Sequence, residues 1–118
     1  MKRYLVELGM GADLHGGDVT KAVKRAMKDA VSHCCMCGLT EILNLDVSKK
    51  LSVYVKIACP HPEKVRLEEL QDLVPVGKMV IDELCNGGMT TRGLHVDSLG
   101  EGDQIVVALV SLTVVVEE

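Results

Sequence analysis

Apolar and polar positions along this chain alternate, recur or run unbroken in ways that mark out successive elements. Tyr4-Leu5-Val6-Glu7-Leu8 reads as a short strand that ends at Gly9, and the stretch from Gly9 to Gly17 reads as a glycine-rich loop. Asp18 predicts a helix start, because its carboxylate can accept the unpaired amides of a first turn. Beyond it, Val19, Ala22, Val23, Ala26, Met27, Ala30 and Val31 recur with the 3.6-residue period of one helix face. Lys21, Lys24, Arg25 and Lys28 fall on the opposite, solvated side. Gly38 is the expected stop, and Glu41-Ile42-Leu43 suggests one more helical turn.

From Leu51 to Ile57 the period changes to two: Val53, Val55 and Ile57 face one way, Tyr54 and Lys56 the other. Pro60 and Pro62 end that strand, since proline cannot donate to a ladder. A short helix is expected over Arg66 to Leu73, closed by Pro75. Val76 to Cys85 and Met89 to Val96 flank Asn86-Gly87-Gly88, which predicts a hairpin because Asn-Gly tolerates the positive φ of tight turns. After the Gly100-Glu101-Gly102-Asp103 turn, Ile105 to Val116 is apolar on both faces, as in a strand covered on both sides.

The resulting order, β-α-β-α-β-β-β, predicts one α+β domain spanning residues 1–118, a mixed sheet with helices on one face. Two helices, one of them short, cannot also cover the second face. Self-association covers it most simply, and small symmetric oligomers are common.

Composition narrows the functional classes. The chain has no Phe and no Trp, only Tyr4 and Tyr54, so its core rests on Val, Leu, Ile, Met and Ala. The stacking platforms of single-stranded nucleic-acid binders are missing. A net charge of −4 supplies no basic field for phosphate backbones, so nucleic acid is excluded as a partner. The apolar stretch after Met1-Lys2-Arg3 is broken by Glu7 and then by glycine, too early for a signal-peptide core. The longest apolar run is shorter than the about 18 residues of a membrane helix. A cytoplasmic protein with free thiols and no membrane contact is expected.

The glycine stretch fits neither common nucleotide loop. Leu14 stands where a dinucleotide fingerprint needs its third glycine, and Gly17-Asp18 replaces the lysine and hydroxyl that would follow Gly16 in a phosphate loop. One reading is a strand-to-helix turn that needs glycine dihedrals at Gly9, Gly11, Gly16 and Gly17. The other is an anion or carbonyl site built from free amides beside a helix N-terminus, with Asp13 and His15 as an acid-base pair.

Gly9-x-Gly11-x-Asp13-x-His15-Gly16 resembles the G-x-G-x-D-x-H-G signature of a small family of conserved hypothetical proteins. The similarity extends over nearly the whole chain, through Asp18-Val19-Thr20-Lys21-Ala22, Val55-Lys56-Ile57 and Pro62-Glu63-Lys64-Val65. It implies the family's fold rather than an activity. The element order also resembles the trimeric chorismate mutase fold and one repeat of the ring-opening amidohydrolases, the cyanuric acid hydrolase and barbiturase group. The latter implies a serine before a Gly-Gly turn and a partner lysine. Here Asn86 and Cys85 precede Gly87-Gly88, while Lys56 could match the lysine. The former implies a homotrimer.

Lys56 stands among apolar residues, where desolvation would lower its pKa and favour base or Schiff-base chemistry. The alternative pairs it with an acid such as Glu7 on a neighbouring strand. His33-Cys34-Cys35 and Cys37, with Cys59 and His61 later, lack paired Cys-x-x-Cys knuckles, so neither a metal nor another cofactor is expected. Arg92 could offer a guanidinium to a carboxylate, or lie exposed on its strand. Three readings stay open: an enzyme using Asp13, His15 and Lys56 on a small carbonyl or carboxylate compound held by Gly9, Gly11, Gly16, Gly17, Asn86, Gly87, Gly88 and Arg92 at subunit interfaces; a non-catalytic metabolite-binding module; and a structural trimer. Convergence of Asp13, His15 and Lys56 in one pocket would favour the first.

Overall fold

In the computed structural model, which describes residues 2–117, the chain forms β1 (Lys2–Asp13), α1 (Val19–Ser32), α2 (Cys37–Glu41), α3 (Val47–Lys50) and β2 (Leu51–Cys59). Two 3-10 segments (Pro62–Lys64 and Leu67–Leu73) lead to β3 (Lys78–Asn86), β4 (Met89–Arg92) and β5 (Gln104–Val116). The Asp18 cap forms as its position predicts. Its side chain accepts Thr20 N at 3.0 Å and Lys21 N at 3.2 Å, and the predicted apolar face of α1 is buried from Val19 to Ala30. The helix ends at Ser32, earlier than expected, and Gly38 lies inside α2 instead.

The apolar run of β5 lies in the middle of a mixed sheet of order β1-β5-β2-β3. Antiparallel β1 pairs with one side of it, while β2 and then β4 share the other side end to end. β3 adds to β2 in parallel. The expected Val76–Cys85/Met89–Val96 hairpin is therefore not made. Gly87 and Gly88 instead carry the chain from β3 across the end of β2 to β5, and Gly87 N donates to Cys59 O at 3.1 Å. Gly88 has φ +69°, and a β-carbon there would meet Val107 O at 2.0 Å, so glycine is required for this crossing.

α1 and both 3-10 segments pack on one sheet face, where Val53, Val55, Ile57, Val106, Ala108, Val110, Leu112 and Val114 meet Val23, Ala26, Met27 and Leu70. The expected helix over Arg66–Leu73 is wound as a 3-10 segment, with Leu70 fully buried. On the other face none of the described residues covers the middle of β1 and β5. Leu8 is 68% exposed, Met10 60%, Val6 50% and Leu109 47%. Because β1, β2 and β3 run in one direction, their carboxyl ends gather at one edge of the sheet.

Candidate functional site

The glycines expected in a loop divide into two sets. Gly9 and Gly11 belong to β1 and face α1, where β-carbons would lie 2.1 Å from Ala26 O and 2.2 Å from Ala26 N. Their role is to let a helix lined by Ala22, Ala26 and Ala30 rest directly on strand backbone. Gly16 (φ +98°) and Gly17 (φ +63°) make the turn itself. Gly16 sits against Gly100, whose β-carbon would come within 2.7 Å of Gly16 Cα.

Asp13 is 4% exposed and fully engaged. Oδ2 accepts Asp18 N at 2.8 Å, and Oδ1 receives Arg25 Nη1 at 3.3 Å. Together Asp13 and Asp18 occupy the amides of residues 18, 20 and 21, so the expected anion-binding amides are already satisfied by the chain's own carboxylates. His15 Nδ1 lies 3.2 Å from Leu94 O, joining the turn to the loop before β5.

Lys56 does not join them. It faces the open side of the sheet in register with Ser111, whereas Asp13 faces the helix side in register with Val106. Five residues along β5 separate those rows, roughly 16 Å at about 3.3 Å per residue. Lys56 is half exposed, with Nζ 2.9 Å from Glu83 Oε2 rather than paired with Glu7. The hydrogen bond that Lys56 donates to Glu83, and then the Glu83 charge, push the lysine above its ordinary range, opposite to the lowering that base chemistry needs. The desolvation expected from its apolar neighbours does act to lower the lysine, but Glu83 outweighs it, because those neighbours alternate to the buried face. A small notch of about 180 Å³ beside Lys56 is lined by Leu8, Ala58, Leu109 and Ser111.

A polar cleft forms instead at the carboxyl ends of β2 and β3, where ligands commonly sit beside parallel strands. It is about 500 Å³ and is lined by Pro60, His61, Pro62, Glu63, Asn86 and Thr90. His61 adopts φ +49° and ψ +59°, a left-handed conformation rare for a side-chain-bearing residue and held here between two prolines. Its Nδ1 lies 3.8 Å from Glu63 Oε1. Asn86 and Thr90 face the helix side through their registers with Cys59 and Val106. Arg92 shares the Thr90 face two residues on, with Nε donating to Asp103 Oδ2 at 3.0 Å. Thus Asn86 lines a cleft, while Gly87 and Gly88 only carry the chain past it, and Gly9, Gly11, Asp13 and Lys56 lie elsewhere. In the sequence His61 reads only as a metal-ligand candidate, and neither Glu63 nor Thr90 stands out as a site residue, although a histidine between two prolines directly after a strand is a visible signal.

A charged strap ties the crossover to α1. Arg66 Nη2 reaches Asp18 Oδ2 at 3.2 Å, Arg66 Nε binds Glu69, and Lys24 Nζ lies 2.6 Å from Glu69 Oε1. Arg66 foremost, then Lys24, hold the Glu69 carboxyl down at about 2. At Asp18, desolvation opposes the shift, but Lys21 N, Arg66 and Thr20 N together keep the carboxyl below its ordinary range.

Cys34, Cys35, Cys37, Cys59 and Cys85 are free thiols, and burial raises Cys34 and Cys59. Among the described residues no cluster of His, Cys, Asp or Glu could hold a metal ion, and no helix is long and apolar enough to cross a membrane.

No curated protein matches the chain. A solved structure from Nostoc punctiforme, described as an FtsZ-like protein of unknown function, superposes with a TM-score of 0.86 at 33% identity, covering 99% of this chain and 97% of that one. The family described as "Conserved hypothetical protein (Lin0512_fam)" matches residues 3–114, and this chain belongs to that family.

Proposed function

We propose that the chain is a non-catalytic module that assembles as a homotrimer through its open sheet face and holds a small neutral carbonyl compound in the cleft of His61, Asn86 and Thr90. The observation that carries the assembly is the uncovered row Val6, Leu8, Met10 and Leu109. A contiguous exposed apolar patch on a soluble domain marks an interaction site. The resemblance of element order to trimeric chorismate mutase favours three copies. The cleft opens on the helix side, so the open face can be covered without blocking it.

The ligand class follows from the lining. The Asn86 amide, the Thr90 hydroxyl and the His61 imidazole both donate and accept hydrogen bonds. Glu63 repels a carboxylate, and Arg92 is already paired with Asp103. A neutral amide or ketone fits better than an acid. Amidohydrolase chemistry is disfavoured because Asn86 replaces the serine near Gly87-Gly88 and Lys56 is held protonated by Glu83.

Thermal-shift titration tests this with succinimide as a neutral cyclic amide and succinate as the dicarboxylate, since a ligand that binds the native state raises its melting temperature. Succinimide should stabilise the wild type saturably and succinate should not, with the effect lost in Asn86→Ala. Equal shifts in the wild type and Asn86→Ala, or no shift with succinimide, would overturn the cleft assignment.

A further inference from the structure

We propose a second ligand site on the same chain, an apolar pocket for a neutral small molecule at the opposite end of the helix layer. The pocket is about 330 Å³ and lies among the end of α1, the Cys34–Met36 segment, α2 and the amino-terminal half of β2. Val31, Val53, Val76, Leu112 and Val114 contribute branched aliphatic side chains to its wall. Its volume falls in the range of small-molecule sites and equals roughly eleven waters at about 30 Å³ each.

Sequence explains why this space is left unfilled. The chain contains no Phe or Trp, and α2 and α3 are only 5 and 4 residues long. Branched aliphatic side chains of the sheet therefore face short helices across a gap they cannot span. The gap is open to water at Cys35 and Thr40, so its apolar walls stay wetted until a ligand covers them.

The lining also sets the ligand's chemistry. Among the described residues no charged side chain lines the pocket, and its polar side-chain groups are the thiols of Cys34 and Cys35 and the hydroxyl of Thr40. Cys34 Sγ already donates to Ala30 O at 3.3 Å, and burial keeps it protonated by raising its pKa. A charged ligand would leave water without a partner and is disfavoured. A medium-length alcohol fits, with its chain on the valines and its hydroxyl near Thr40. The pocket opens away from the bare sheet face, since Val53, Leu112 and Val114 belong to the helix side.

The test compares octan-1-ol with octanoate, which share a chain and differ in charge, by thermal shift on the intact protein. Octan-1-ol should raise the melting temperature saturably and slow iodoacetamide modification of Cys34 read by peptide mass. Octanoate should do neither. Val76→Phe, which fills the pocket, should weaken the octanol effect at least tenfold, whereas Lys21→Ala on the exposed side of α1 should leave it unchanged. Should Val76→Phe fail to fold, Cys34 protection in the wild type and Lys21→Ala still decides the matter. Equal responses to both probes, a response lost in Lys21→Ala, or no protection of Cys34 would overturn the proposal.

Discussion

Gly9 of β1 lies so close to Ala26 of α1 that a β-carbon on Gly9 would stand 2.1 Å from the Ala26 carbonyl oxygen. The obstacle is helix backbone, which cannot swing aside as a side-chain tip can. Gly9→Ala should therefore lift α1 from the sheet and cost at least the about 1–3 kcal/mol of an overpacked core. Urea denaturation measures this; an unchanged midpoint would show that Gly9 is not a packing glycine.

Asp13 ties the turn to the start of α1 through Asp18 N and Arg25. Asp13→Ala leaves a partly buried amide without its acceptor and should cost about 1–3 kcal/mol. Succinimide affinity, measured where the variant stays folded, should remain at the wild-type value. A variant of wild-type stability that loses ligand would return Asp13 to a binding role.

His61 is held at φ +49°, where glycine suffers no steric penalty. His61→Gly should keep stability within about 1 kcal/mol, because relief of strain offsets the added freedom of the unfolded chain. The same variant should bind succinimide at least tenfold more weakly. Large destabilisation with intact binding would make His61 a structural residue.

Stability should fall in acid in a window that Glu69 sets. Its carboxyl is held at about 2 in the folded protein against an ordinary value of 4.5. The unfolded chain thus binds a proton first, and the stabilisation present above about pH 4.5 is lost as pH drops toward 2. Asp18, also lowered, acts in the same direction. Glu69→Gln should flatten the acid limb of a melting-temperature profile between those values, and an identical limb would show that Arg66 and Lys24 do not stabilise the folded state through Glu69.

What the sequence made legible was local. The Asp18 cap and the buried stripe of α1 depend on neighbours within a few residues, as does the alternation of Val53, Val55 and Ile57, and each forms as the pattern predicts. The strands flanking Asn86-Gly87-Gly88 do not pair, because a turn signal says where the chain bends and not which strand offers free hydrogen bonds. β3 pairs with β2 and the four-residue β4 pairs with the longer β5 instead. Gly9 and Gly11 looked like loop residues, since their need for glycine arises from a helix that packs on them from elsewhere in the chain. Lys56 was placed on the correct face, but its partner Glu83 comes from a parallel strand reached only after the crossover. The cleft around His61 required that same crossover, so its parts are scattered over three segments.

The central claim is that the bare face of Leu8, Met10 and Leu109 is an interface between copies of this chain. Light scattering coupled to size-exclusion chromatography at micromolar concentration measures it directly. The wild type should show three times the chain mass of 12.8 kDa, and Leu8→Lys should fall to the mass of one chain while keeping its circular dichroism spectrum. A wild-type protein that runs as a stable 12.8 kDa monomer would contradict the account.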